Sequence, residues 1–215
     1  MGSSKEACGG LFEIYGEEAA ESLIAMIDSN INCPQTSSMG RLFDAVSNII
    51  GITDKVTYEG QAAIELEAVS DIEIQEAYSY KIIKQDMYII EPYEMIKEVI
   101  KDKNNGVSSK IMASKFQNTI VNLSVSMCTY LRTDTGINEV ALSGGVFQNP
   151  YLLKKISQNL EKKGFGVYTH THLPSNDSGV AIGQIIIANS IMGNDKTKGD
   201  DEDCPVSYSS DVRKE

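Results

Sequence analysis

Tryptophan is absent from the 215 residues and histidine occurs only twice. No apolar run approaches the ~20 residues that a membrane-spanning helix needs; the longest are pieces such as Ile185 to Ala188. The opening Met-Gly-Ser-Ser-Lys-Glu-Ala-Cys has no apolar segment of the secretory kind, so a cytoplasmic location is expected. The four cysteines, Cys8, Cys33, Cys128 and Cys204, lie far apart, without the two-residue spacings of zinc sites or redox pairs. They read as reduced thiols. Basic side chains are in deficit, 19 against 30 acidic, and the net charge of -11 opposes binding to a phosphate backbone. Nucleic acid is therefore a poor main partner, whereas a nucleotide held by backbone groups is compatible with that charge. What is present is an ordinary globular composition, 41% hydrophobic and 23% charged, at a length that fits one domain or one and a short appendage.

No internal repeat is found. Between Thr36 and Ile50 the apolar Met39, Leu42, Phe43, Val46, Ile49 and Ile50 recur at three and four, which predicts a helix with one buried face. Ser37 or Ser38 can cap it and Gly51 can end it. A second helix is expected over Gln61 to Ala77, a short strand over Met87 to Ile90, and a helix from Tyr93 to Lys101. A long helix follows from Ser108 to Leu131. Next come a buried strand within Asn138 to Gly145, a helix from Tyr151 to Lys163, a strand from Phe165 to His170, and a helix from Ser178 to Ile191. Strands alternating with helices imply an α/β fold with a parallel or mixed sheet. Beyond residue 195 the acidic, Ser-rich stretch that includes Asp200-Asp201-Glu202-Asp203 is expected to be a solvated, disordered tail.

The sharpest local signal runs from Val140 to Pro150, where an apolar strand enters Gly144-Gly145 and then Asn149-Pro150. Paired glycines let a chain turn sharply and let a ligand approach the backbone, and Asn followed by Pro is a helix start. A helix N-terminus facing such a turn offers N–H donors to a phosphate or a ribose; the plainer reading is a tight turn that binds nothing. A second turn, Leu173 to Gly183, places Asp177 at a helix start, where it either caps the helix or ligates a cation. Asp44 lies off the apolar face of its helix, three residues after Arg41, in the spacing of a surface ion pair. Tyr58-Glu59-Gly60-Gln61 is another turn into a helix. His170 and His172 alternate along an extended segment and so share a side, with no third ligand close in sequence.

Taken in order, four of these pieces resemble the C-terminal end of the HypF family of hydrogenase maturation carbamoyltransferases. They are Thr36 to Val46, Tyr58 to Glu67, Ser143 to Asn149, and Asn176-Asp177, and the similarity spans about Leu11 to Ile191. Such enzymes carry acylphosphatase-like, zinc-finger and YrdC-like parts before a Kae1-like domain of the actin and Hsp70 ATPase (ribonuclease H-like) superfamily. The resemblance implies that this chain, over residues 1–195, is the second lobe of that domain, a mixed sheet flanked by helices, and inactive alone. It also implies an enzyme family that turns carbamoyl phosphate and ATP into carbamoyl adenylate, releasing pyrophosphate. The carbamoyl group then passes to the C-terminal cysteine of HypE. Matched position by position, Asp44 would hold the nucleotide ribose, Gly60, Gly144 and Gly145 would pass close to the nucleotide, and Asn149 would lie near the adenosine. Asp177 would ligate a divalent metal whose histidine ligands sit in the first lobe, so His170 and His172 do not replace them.

Two departures stand out: Gln117 where many relatives have histidine, and Ser175 and Ser178 in place of residues that are commonly proline and glycine. The rival tRNA threonylcarbamoyl transferase branch would share Asp44, Asn149 and Asp177. However, Gly-Arg-Leu-Phe-Asp-Ala and Tyr-Glu-Gly-Gln favour the hydrogenase branch. A rival of another class is a non-catalytic docking lobe acting through its acidic surface.

Overall fold

The computed structural model describes residues 16–196, and the acidic stretch beyond 196 lies outside the described residues. The described residues fall into two compact units, which meet in sequence between Ser38 and Met39. In the first, helix α1 spans Glu17–Asp28. It closes with Asn30 and Asn32 in the left-handed region, which Asn tolerates better than most side chains.

The second unit is built on helices. Helix α2 (Met39–Ile49) buries Phe43 and Val46 and ends where Gly51 takes φ 75°, as its apolar spacing and terminal glycine predict. Helix α3 covers Gln61–Val69, α4 Tyr93–Asn104 and α5 Ser109–Thr135. The long α5 starts on a Ser108 cap, whose Oγ accepts from the Ile111 N–H, and stops at Gly136 in the left-handed conformation. Its middle is buried all round: Met112, Ala113, Phe116, Ile120 and Leu123 are in the core, and Phe116 meets Phe43 edge to face at 4.8 Å. An edge-to-face pair of that spacing adds to the area it buries.

Helix α3 is shorter than the predicted Gln61 to Ala77, and α5 supplies the reason. Ser114, Gln117 and Asn118 lie on one side of α5 at three- and four-residue spacing, and each is buried. Ser114 Oγ accepts from the Asp71 N–H at 2.7 Å, while Asn118 Nδ2 donates to the carbonyls of Ile74 and Glu76 at 2.8 and 2.9 Å. Thr119 Oγ1 accepts from the Tyr78 N–H at 2.8 Å. This polar row takes up main-chain groups that a helix would have paired within itself, so the chain after Ser70 makes a turn at Ile72 and Glu73 and then follows α5 without helix.

Strands β1 (Lys81–Lys84) and β2 (Tyr88–Glu91) form an antiparallel hairpin. Strands β3 (Glu139–Leu142) and β4 (Gly166–Thr169) pair in parallel, Glu139 opposite Gly166 and Leu142 opposite Thr169. Among the described residues there is thus no continuous mixed sheet but two two-stranded ones. Strand β3 differs from the fully buried strand expected: Leu142 is buried, whereas Glu139 and Ala141 are exposed, because nothing described covers their face. A 3-10 turn, Gly145–Gln148, leads into α6 (Pro150–Lys162), which buries Leu152, Ile156 and Leu160 against α5. Last comes α7, Ser178–Lys196. No described helix is long and apolar enough to cross a membrane.

Candidate functional site

The carboxyl ends of β3 and β4 open into two loops, residues 143–149 and 170–177, and ligands of α/β folds gather at such strand ends. These loops are stitched together. Gly144 N–H donates to the Ser175 carbonyl at 2.8 Å, and His170 Nε2 lies 2.8 Å from Ser143 Oγ. Between them is a cavity of about 350 Å³ whose lining includes Leu142, Phe147, Gln148, His170 and Ser175. His170 is therefore tied to Ser143. Among the described residues no three His, Cys, Asp or Glu side chains converge as a metal site.

Asn149 is the N-cap of α6, and Pro150 follows at the first helical position, as the Asn-Pro pair predicts. Its Oδ1 accepts from the Leu152 N–H at 2.9 Å, and its Nδ2 donates to Gln117 Oε1 at 2.9 Å. Glu67 on α3 is half-buried; burial pushes its carboxyl up and the backbone of Tyr151 nearby draws it part of the way back. One donor of the first turn of α6, the Leu152 N–H, is thus taken by Asn149, and Pro150 has none to offer.

The glycines differ in what demands them. Gly144 (φ 104°) and Gly60 (φ 79°) hold backbone conformations that side chains resist. Gly145 has no such φ, and a Cβ there would meet nothing within 4 Å, so no protein group excludes a side chain at that position. Gly60 ends a loop fixed by hydrogen bonds: Thr53 Oγ1 and Gln61 Nε2 both donate to Glu65, and Gln61 Oε1 accepts from the Thr57 N–H at 2.8 Å.

Asp44 sits on α2 in an ion pair with Arg41, Oδ2 to Nη2 2.9 Å, with about a quarter of the carboxylate side chain exposed. Helix α2 packs against both α3, which Gly60 begins, and the 3-10 turn that leads to Asn149. One turn beyond Asp44, Ser47 Oγ is buried with no hydrogen-bond partner among the described residues. Asp177 is exposed, its carbonyl accepting from the Val180 N–H and its loop held to the glycine turn through Ser175. Sequence reasoning noted Gln117 only as a departure and missed Glu67. Both were detectable as polar groups on helix faces otherwise facing the core.

The family model "Carbamoyltransferase, Kae1-like Domain, second subdomain" matches residues 4–184. The chain is 37% identical to a carbamoyltransferase HypF of Synechocystis sp. over 71% of its length, but spans only 19% of that relative. It is 30% identical to a probable carbamoyltransferase HypF of Methanocaldococcus jannaschii, covering 80% of this chain and 22% of the relative. A crystal structure of full-length HypF in the phosphate- and nucleotide-bound form superposes with a TM-score of 0.80 at 39% identity, over 88% of this chain and 30% of that one. A crystal structure of T. kodakarensis HypF shares the fold at a TM-score of 0.64 and 22% identity, over 84% of this chain and 23% of that one. The chain belongs to the HypF carbamoyltransferase family, as the second subdomain of its Kae1-like domain.

Proposed function

We propose that this chain is the nucleotide-holding lobe of a HypF-type carbamoyltransferase. In that reaction carbamoyl phosphate and ATP give carbamoyl adenylate and pyrophosphate, and the carbamoyl group passes to the C-terminal cysteine thiol of HypE. The observation that carries this reading is the convergence of α2, the glycine turn and the α6 cap around one strand end, in a chain that superposes on a nucleotide-bound relative. Asp44 accepts the ribose hydroxyls by exchanging Arg41 for the sugar. Asn149 offers the adenosine the amide hydrogen that Gln117 does not hold. Gly145 leaves room beside the backbone for phosphate oxygens, which explains a glycine that neither packing nor φ requires. With the Leu152 N–H taken by Asn149 and none on Pro150, donors to the phosphates come from the glycine turn.

The family's divalent metal would supply charge to hold and polarise phosphate oxygens. The residues present fit one share of that role: Asp177 is an exposed carboxylate on the loop bonded to Gly144, and the remaining ligands belong to the first lobe. Half a site cannot run the reaction. Helix α7 points the same way, since Val180, Ile185, Ile186, Ile187, Ile191 and Met192 are each more than half exposed, with no charged residue from Ser178 to Asn194. A face of that kind belongs under the first subdomain of the same domain. Titrating ATP calorimetrically into the chain tests the reading: saturable binding lost in Asp44→Ala is expected, and no uptake by the wild-type chain overturns it.

A further inference from the structure

Gln117 is 1% exposed in the middle of α5, and a carboxamide buried that deeply costs stability unless both of its ends are paired. Both ends are paired, as part of a relay between two helices. The Leu152 N–H donates to Asn149 Oδ1, Asn149 Nδ2 donates to Gln117 Oε1, Gln117 Nε2 donates to Ser70 Oγ, and Ser70 Oγ donates to the Leu66 carbonyl. A backbone N–H can only donate and a carbonyl can only accept, so the two ends dictate the sense of every bond between them. Neither amide can flip without setting two like groups against each other.

We infer that Gln117 is a positioning residue that fixes Asn149 as a hydrogen-bond donor toward the nucleotide, an inference that rests on the nucleotide reading above. With Oδ1 held at the helix cap and one Nδ2 hydrogen held by Gln117, the group has its second Nδ2 hydrogen to offer. Its natural partner is an acceptor, a purine ring nitrogen or a ribose oxygen, and not an exocyclic amino group. A neutral imidazole also carries one donor and one acceptor, so histidine can stand in the relay in the same sense, whereas methionine fills the space and breaks it.

The experiment uses this chain and two readouts. In calorimetric titration with ADP, Gln117→Met is expected to weaken binding about tenfold, the scale of one neutral hydrogen bond, and Asn149→Ala by a similar factor. The double variant should lose nothing more, because both act on one interaction. Gln117→His should stay within about threefold of wild type. In the nucleotide-free chain, the Asn149 side-chain amide protons should exchange slowly with solvent in wild type and Gln117→His, and fast in Gln117→Met. Should Gln117→Met not fold, Ser70→Ala, which removes the next group of the relay, is expected to speed the same exchange. Wild-type ADP affinity in Gln117→Met, or additive losses in the double variant, overturns the role of Gln117. Absence of ADP binding in wild type defeats the nucleotide reading instead, and the exchange measurement then decides the positioning alone: unchanged exchange in Gln117→Met, or in Ser70→Ala where that variant replaces it, overturns it.

Discussion

Asp44 and Asn149 carry different commitments before any ligand arrives, and their variants should separate accordingly. Asp44 holds Arg41, whose side chain is mostly exposed, in an i, i+3 pair, an interaction that contributes only ~0.2 to 0.5 kcal/mol to a helix. Asp44→Ala should therefore leave the thermal midpoint almost unmoved while weakening ATP binding by ~1 to 3 kcal/mol, the scale of a lost hydrogen bond to a charged group. Asn149 caps α6, so Asn149→Ala should also cost ~1 kcal/mol of stability in chemical denaturation. A third case is Ser47, whose hydroxyl is buried without a partner: Ser47→Ala should be neutral or stabilising by up to ~1 kcal/mol. Asp177→Ala, at an exposed carboxylate, should remove bound metal from the full-length enzyme and leave the fold intact, which metal analysis and circular dichroism would show.

Among the elements, those with strong periodicity and a terminal glycine were the most legible. Helix α2, ended by Gly51, and α5, capped by Ser108 and closed by Gly136, follow from spacing and cap chemistry alone. The Asn149-Pro150 start of α6 was equally plain. Illegible were the outcomes decided by partners distant in sequence. The end of α3 depends on Ser114 and Asn118 more than forty positions on, and the exposed side of β3 depends on what fails to cover it. For the candidate site, the motif residues stood out in the sequence, but their existing bonds did not: Asn149 goes to Gln117, and His170 goes to Ser143. Helix α7 is the element whose exposure the lobe itself does not explain. Ile187→Glu should therefore change the stability of this chain by under ~0.5 kcal/mol, yet abolish its association with a separately expressed first subdomain in ultracentrifugation.

For the molecule as a whole, the acid limb of stability follows from its carboxylates. Hydrogen bonds from Thr53 and Gln61 hold Glu65 below its ordinary range, Lys110 does so for Asp71, and Lys84 and Tyr88 for Asp134. A group with a depressed folded pKa contributes stability that is present above its unfolded value and lost as pH falls through the folded one. Glu67, held up by burial, works in the opposite sense, but it stands against three. The denaturation midpoint should therefore hold near neutrality and fall below about pH 4. The chain spans 19% and 22% of the two relatives described, and by itself it should form no thiocarbamate on HypE. On the proposed reading, α2, the Gly60 turn, the glycine turn and the α6 cap present one nucleotide face. The most direct test of that reading is an amide chemical-shift map of this chain titrated with a non-hydrolysable ATP analogue. Concerted shifts at Asp44, Gly60, Gly144, Gly145 and Asn149 with one saturation curve are expected. Shifts confined to α7 or the β1–β2 hairpin, with those five unmoved, would contradict it.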